Sequence, residues 1–161
     1  GINTGDCVVG NMGSKQRFDY SVLGDPVNLA ARLEGQSKNY GVKIVVGEDT
    51  VKELDDKYAI LPLDKITVKG KAEASSIFTM LGGSEIGTST AFQKLKNLHT
   101  AMMDSYLAQN WEKAERLCQE CRTLDSGEMT GFYDLYEARI AEYREHPPRS
   151  DWDGVYIATT K

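Results

Sequence analysis

The sequence predicts an α+β fold: a glycine-rich sheet domain followed by a small all-α region. Three observations carry this. Short β-branched runs separated by Gly and Pro fill residues 1–83. Two helical patterns interrupt them, in the order strand, strand, helix, strand, helix, strand, strand, which suits a sheet with helices on one face. Beyond residue 91 the apolar period changes to three and four residues, the spacing of amphipathic helices.

The expected strands are "CVVGNM", "FDYSVL", "VKIVVG", "YAILPLDKITV" and "SSIFTML". Residues 10–19 lie between the first two and read as a hairpin connection or protruding arm, with Gly10 and Gly13 supplying turn freedom. The first helix is expected to begin at Asp25 as N-cap, with Pro26 at the first helical position and Gly41 as its stop. A shorter second helix is expected behind Thr50-Val51-Lys52-Glu53, a capping-box pattern ahead of Leu54.

Residues 84–91 read as a linker, since "GGSEIGTST" is small, polar and glycine-rich. Residues 92–148 read as a helical region. In its first helix Phe92, Leu95, Leu98, Met102, Tyr106 and Leu107 recur at mixed three- and four-residue steps, and its second places Trp111, Ala114, Leu117, Cys118 and Cys121 on one side. The third, "FYDLYEARIAEYREH", ends at Pro147-Pro148. Residues 149–161 form a tail with a turn at Asp153-Gly154. "AMMDSYLAQNWEKAERLCQECRTLD" resembles a tetratricopeptide unit, but barely one repeat is present and such arrays need several. The region therefore reads as a repeat-like hairpin with a cap, open to a protein partner.

The net charge is −5 and no basic stripe stands out, so nucleic acid and anionic membrane are poor partners for this chain. No apolar run is long enough to span a bilayer, and no signal-peptide pattern is present. Cys118 and Cys121 have the spacing of a redox or zinc half-site. They lie inside a helical pattern with no second pair and no nearby His pair, so they read as two small helix residues in a reducing, cytoplasmic setting.

Chemistry concentrates at one helix start. Asn28 and Arg32, at i and i+4, share a face within the first two turns. That end offers free N–H groups and the positive end of the dipole to an anion. The Arg fork suits phosphate oxygens, and the Asn amide donates without adding charge. The alternative is a solvated Asn28 with Arg32 paired to Glu34 or a neighbouring acid. Lys69 and Lys71 flank Gly70 at an expected hairpin turn; they are either a second cationic element or an ordinary solvated loop.

The combination "GINTGDCVVGNMGSKQRFDYSVLGDPVNLAARLE" resembles the C-terminal half of the class III adenylate/guanylate cyclase catalytic domain. The motifs are Gly-Ile-x-x-Gly at Gly1–Gly5, Val-x-Gly-x-x-Gly at Val8–Gly13, Gly-Asp-x-Val-Asn at Gly24–Asn28 and Asn-x-x-x-Arg at Asn28–Arg32. "ITVKGKAEASSIFTML" is similar to the family's closing hairpin, and residues 92–161 resemble the helical tail behind some bacterial members. The resemblance implies a partial ferredoxin-like cyclase domain over residues 1–83, acting on ATP to give cyclic AMP and pyrophosphate with Mg²⁺ or Mn²⁺. It implies that Asn28 orients the ribose and Arg32 holds the attacked phosphate. Lys69 or Lys71, with Lys69 the first choice, would contact the triphosphate. Ser21 stands at the base-reading position, where its hydroxyl permits adenine. Residues 10–19 match the arm that reaches across the family's homodimer.

The two metal-binding carboxylates of the family lie upstream of the matched region, and Asp6, Asp19 and Asp25 do not fall at their positions. The chain opens on Gly1 with a strand under way and no initiator Met. Both facts predict a fragment of a longer protein, itself cytoplasmic or membrane-attached through other segments, and catalytically silent alone. A sheet so shortened is expected to dimerise, by strand exchange, or to lean on the helical tail. Two other readings remain open at this point: a non-catalytic cyclase-like dimerisation or regulatory module, and an interaction module working through the tail.

Overall fold

The computed structural model describes residues 1–14, 17–67 and 74–155. β1 (Val8–Ser14) and β2 (Arg17–Leu23) pair antiparallel from Val8↔Leu23 to Ser14↔Arg17. They form a two-stranded sheet of their own, separate from the main sheet. Gly10 and Gly13, expected at the turn, lie inside β1 opposite Ser21 and Phe18, because the ladder continues to Ser14.

The expected helix α1 spans Asp25–Tyr40. Its cap is Gly24 rather than Asp25: the Gly24 carbonyl accepts from Asn28 N at 3.2 Å, closing the first helical turn. Asp25 instead sits in the first turn, where a carboxylate complements the positive end of the helix. Pro26 follows as expected, and Gly41 ends the helix in the left-handed conformation at φ 63°.

β3 (Val45–Gly47) is shorter than expected, and α2 (Glu48–Lys52) starts directly at its end. The capping box therefore does not form. Thr50 lies inside α2 with its hydroxyl 3.0 Å from that of Thr4, and Glu53 closes the helix. β4 (Ala59–Thr67) and β5 (Ala74–Gly82) complete a three-stranded antiparallel sheet in the order β3-β5-β4. Ile2 adds a parallel bridge on the outer side of β3, giving and taking backbone hydrogen bonds at 2.9 and 2.8 Å.

A one-turn helix α3 (Ser84–Gly87) leads to three longer helices, α4 (Thr90–Leu107), α5 (Trp111–Leu124) and α6 (Thr130–Glu145). Ser89 and Asn110 cap α4 and α5 through their side chains. These helices lie over β4, the edge strand. The register of β4 slips between Pro62 and Asp64, which turns both Leu63 and Asp64 inward. The carbonyls of Pro62 and Leu63 are met by the side chains of His99 in α4 and Tyr136 in α6. A sheet edge that would otherwise invite pairing is thus covered by side chains of the helical region.

One apolar core runs through both parts of the chain. It joins Leu33 of α1 and Leu61, Leu63 and Ile77 of the sheet to Met102, Cys118, Phe132, Tyr136 and Ile140 of the helices. After α6 the tail folds back, and the Trp152 ring meets those of Tyr106 and Tyr143 at 5.3 and 5.2 Å.

Candidate functional site

Helix α1 is amphipathic, and its burial decides what it presents. Leu29, Leu33 and Tyr40 face the core, so Asn28 and Arg32 stand outward on the adjoining stripe, one turn apart. The glycines of the opening segment let the chain lie close along this helix. A Cβ on Gly1 would come within 2.0 Å of the Ala30 carbonyl oxygen, and one on Gly5 within 2.4 Å of the Pro26 ring. The Asn3 amide donates to the Pro26 carbonyl at 3.4 Å, a further tie at the same end.

Ser21 is half-buried in β2, opposite Gly10, on the strand that feeds directly into α1. It lies on the strand side of Gly24, and Asn28 and Arg32 lie on the helix side. The hairpin around it carries apolar side chains in the open: Val8 is 67% exposed, Leu23 59% and Tyr20 77%. Lys69 and Lys71 lie outside the described residues. Among the described residues no three His, Cys, Asp or Glu side chains gather to hold a metal ion.

A second group of polar side chains is buried where α1 ends. Asp64 Oδ2 accepts from the Tyr40 hydroxyl at 2.7 Å and from Arg139 Nη1 at 2.6 Å, while Oδ1 accepts from Lys65 N at 2.7 Å. The Arg139 guanidinium also lies 5.8 Å from the Tyr40 ring centre and 5.2 Å from that of Tyr136. Burial works against the Arg139 charge, but Asp64 more than restores it, and the net direction is upward. Burial, and then Asp64, holds the Tyr40 phenol protonated far above its ordinary range.

His99 is fully buried, and burial lowers its pKa to about 4. Its Nε2 lies 2.8 Å from the Pro62 carbonyl, which can only accept, so Nε2 carries the proton and Nδ1 accepts from the Tyr133 hydroxyl at 3.1 Å. Cys118 and Cys121 are buried, and burial pushes their thiols up to about 12 and 11, protonated and unreactive at neutral pH.

Asp64, Arg139 and His99 were not expected from the sequence. A signal exists: each interrupts an apolar stretch, Asp64 within "AILPLDKIT", Arg139 between Tyr136 and Ile140, and His99 between Leu95 and Met102. A charge on an otherwise apolar face calls for a partner. What the sequence does not show is which partner, because the pairs are 75 and 37 residues apart.

Residues 1–82 match the family model described as the adenylate and guanylate cyclase catalytic domain. Adenylate cyclase 1 of Rhizobium meliloti is 39% identical over 82 residues, covering 51% of this chain and 12% of its own length. The terminal-differentiation-specific adenylate cyclase of Dictyostelium discoideum is 33% identical over 124 residues, 75% of this chain and 6% of its own, a match that must extend into the helical region. Among solved structures, the adenylyl cyclase CyaB of P. aeruginosa aligns over 48% of this chain and 38% of its own with 30% identity and a TM-score of 0.41. The chain thus spans only a small part of its curated relatives. No described helix is long and apolar enough to cross a membrane.

Proposed function

Because the chain belongs, through residues 1–82, to the adenylate and guanylate cyclase catalytic domain family, we propose that it supplies the phosphate-side half of a site that converts ATP to cyclic AMP and pyrophosphate. The observation that carries this is the joint display of Asn28 and Arg32 on the outward stripe of α1, with Ser21 on the strand leading into it.

In this reaction the ribose 3′-oxygen bonds to the α-phosphorus and the bond to the pyrophosphate oxygen breaks. Negative charge grows on the oxygens in flight. The Arg32 guanidinium offers those oxygens a planar pair of donors, and the N-terminal end of α1 adds its own positive potential. The Asn28 amide holds the ribose so that the 3′-oxygen stays in line. The Ser21 hydroxyl accepts from the adenine amino group or donates to a ring nitrogen, and Lys69 or Lys71 contacts the triphosphate.

Members of this family bring divalent metal to the site on carboxylates. The described residues of this chain do not assemble such a set, so those donors come from a second subunit or from other residues of the same protein. The exposed apolar hairpin β1–β2 is the surface by which a second cyclase domain that carries those carboxylates, in the first place another copy of the parent protein, completes the site. The chain alone is accordingly silent. The helical region reads as a tetratricopeptide-like hairpin that belongs to the protein's architecture rather than to its chemistry.

Complementation tests this. The chain is mixed with an adenylate cyclase subunit whose own Asn and Arg are replaced by Ala but whose metal carboxylates are intact. Cyclic AMP is expected from the mixture and from neither protein alone, with ATP preferred over GTP. Two proteins that co-elute yet form no cyclic nucleotide would sink the assignment.

A further inference from the structure

We propose that the helical region is a brace for α1. Contacts at the C-terminal end of that helix fix the direction in which its N-terminal end presents Asn28 and Arg32, which makes Arg139 and Gly131 positioning residues for the nucleotide site. The functional consequence rests on the cyclase reading above; the mechanical claim does not.

Two independent contacts carry it. The first is backbone against backbone. Where α1 stops at Gly41, the chain touches the first turn of α6 so closely that a Cβ on Gly41 would lie 2.8 Å from the Gly131 Cα, and one on Gly131 would lie 3.0 Å from the Gly41 Cα. Only glycine on both sides allows this approach. The second is the buried cluster. One oxygen of Asp64 is shared by Tyr40, the last residue of α1, and by Arg139 of α6. Neither helix can shift without stripping that carboxylate, whose side chain is 3% exposed against 7% for its partner. Replacing a buried pair of this kind by apolar residues is often neutral or stabilising. Stability alone is therefore a weak reason for it, whereas holding three elements in one register is a strong one.

Geometry converts this into leverage. Tyr40 lies twelve residues beyond Asn28, so the brace stands about 18 Å from the site along a rigid helix. A tilt of about 5° at that end swings Asn28 by about 1.6 Å, and a misplacement of about 1 Å can cost on the order of a hundredfold in rate. The N-terminal half of α1 is held by Leu29 and Leu33 in the core, by Asn3 at Pro26 and by the close packing of Gly1 and Gly5. The contacts with α6 and Asp64 add the anchor at the far end, which fixes the helix axis against tilting about that packing.

Amide hydrogen exchange on the 161-residue chain tests the brace with Gly131→Ala, Arg139→Met and Arg139→Lys. Gly131→Ala is the sharpest variant, because Ala is the better helix former and would strengthen α6 if the contact with Gly41 did nothing. The brace predicts that amides of residues 37–42 exchange roughly tenfold faster in Gly131→Ala and Arg139→Met while α5 keeps its protection, with partial recovery in Arg139→Lys. It also predicts that kcat in the complementation assay falls with α1's loosening. Unchanged exchange in α1, or equal acceleration in α1, α4 and α5, overturns the brace. So does a loosened α1 with undiminished cyclic AMP. Should Arg139→Met not fold, Gly131→Ala and Arg139→Lys carry the same comparison. The exchange readout involves no nucleotide, so its failure leaves the cyclase reading standing; loss of that reading shows instead as Asn28→Ala having no effect on cyclic AMP formation.

Discussion

Acid should loosen this protein at one histidine. His99 holds the helical region to the edge of the sheet while neutral, with Nε2–H on the Pro62 carbonyl and Nδ1 accepting from Tyr133. Its pKa is about 4 in the folded chain, against about 6.5 for a free imidazole. The folded value is depressed, so this contribution is fully present above about pH 6.5 and is lost as pH falls through about 4. The gap of about 2.5 units corresponds to about 3 kcal/mol, a large share of an ordinary folding free energy. Protonation would put a positive charge in a fully buried site and turn Nδ1 from acceptor into donor, so that the Tyr133 hydroxyl that donates to it would have to reverse. Urea unfolding at a series of pH values measures the effect, comparing the native chain with His99→Gln. The variant should lose about 1–3 kcal/mol at neutral pH for its misplaced hydrogen bonds. The difference should then shift by about 3 kcal/mol in the variant's favour between pH 7 and 4, closing the gap or reversing it, with a slope approaching 1.4 kcal/mol per unit. A gap that stays constant over that range would refute the assignment of a buried neutral imidazole.

Other consequences are as direct. Arg139→Met leaves the Asp64 carboxylate buried without its cation and should cost about 3–5 kcal/mol in urea unfolding, with most of it recovered when Asp64 is also replaced by Asn. Gly41→Ala should destabilise by about 1–3 kcal/mol, since the residue is left-handed and faces the Gly131 Cα, whereas Gly35→Ala, with open space around it in the same helix, should stabilise by about 0.5–1 kcal/mol. A thiol titration of the native chain should modify one cysteine, Cys7, which is exposed, and all three only in denaturant, because Cys118 and Cys121 are buried.

Much of the fold was legible because its signals are local. Pro26 and Gly41 bracket α1, and the three- and four-residue spacing marks the helices that follow. Other expectations failed where a non-local contact decided. Thr50 looks like a cap but lies inside α2, since Gly47 ends β3 and the helix begins at once. Gly10 and Gly13 look like a turn but lie in β1, since cross-strand pairing extends past them. Leu107 looks like core but is 48% exposed, while His99 takes the buried place in α4. The pair Asn28 and Arg32 was readable from its i, i+4 spacing; the anchor behind it was not, because Tyr40, Asp64 and Arg139 meet only in the folded chain.

The most direct measurement is cyclic AMP formation in the complementation assay with the native chain, Asn28→Ala and Arg32→Ala, each confirmed folded by its urea midpoint. On the proposed reading Arg32 stabilises charge that grows in the transition state and Asn28 keeps the ribose 3′-oxygen in line for it. Each variant should therefore lose on the order of a hundredfold in kcat with little change in stability. Full activity in either variant would contradict the account of α1 as the phosphate-side half of a cyclase site.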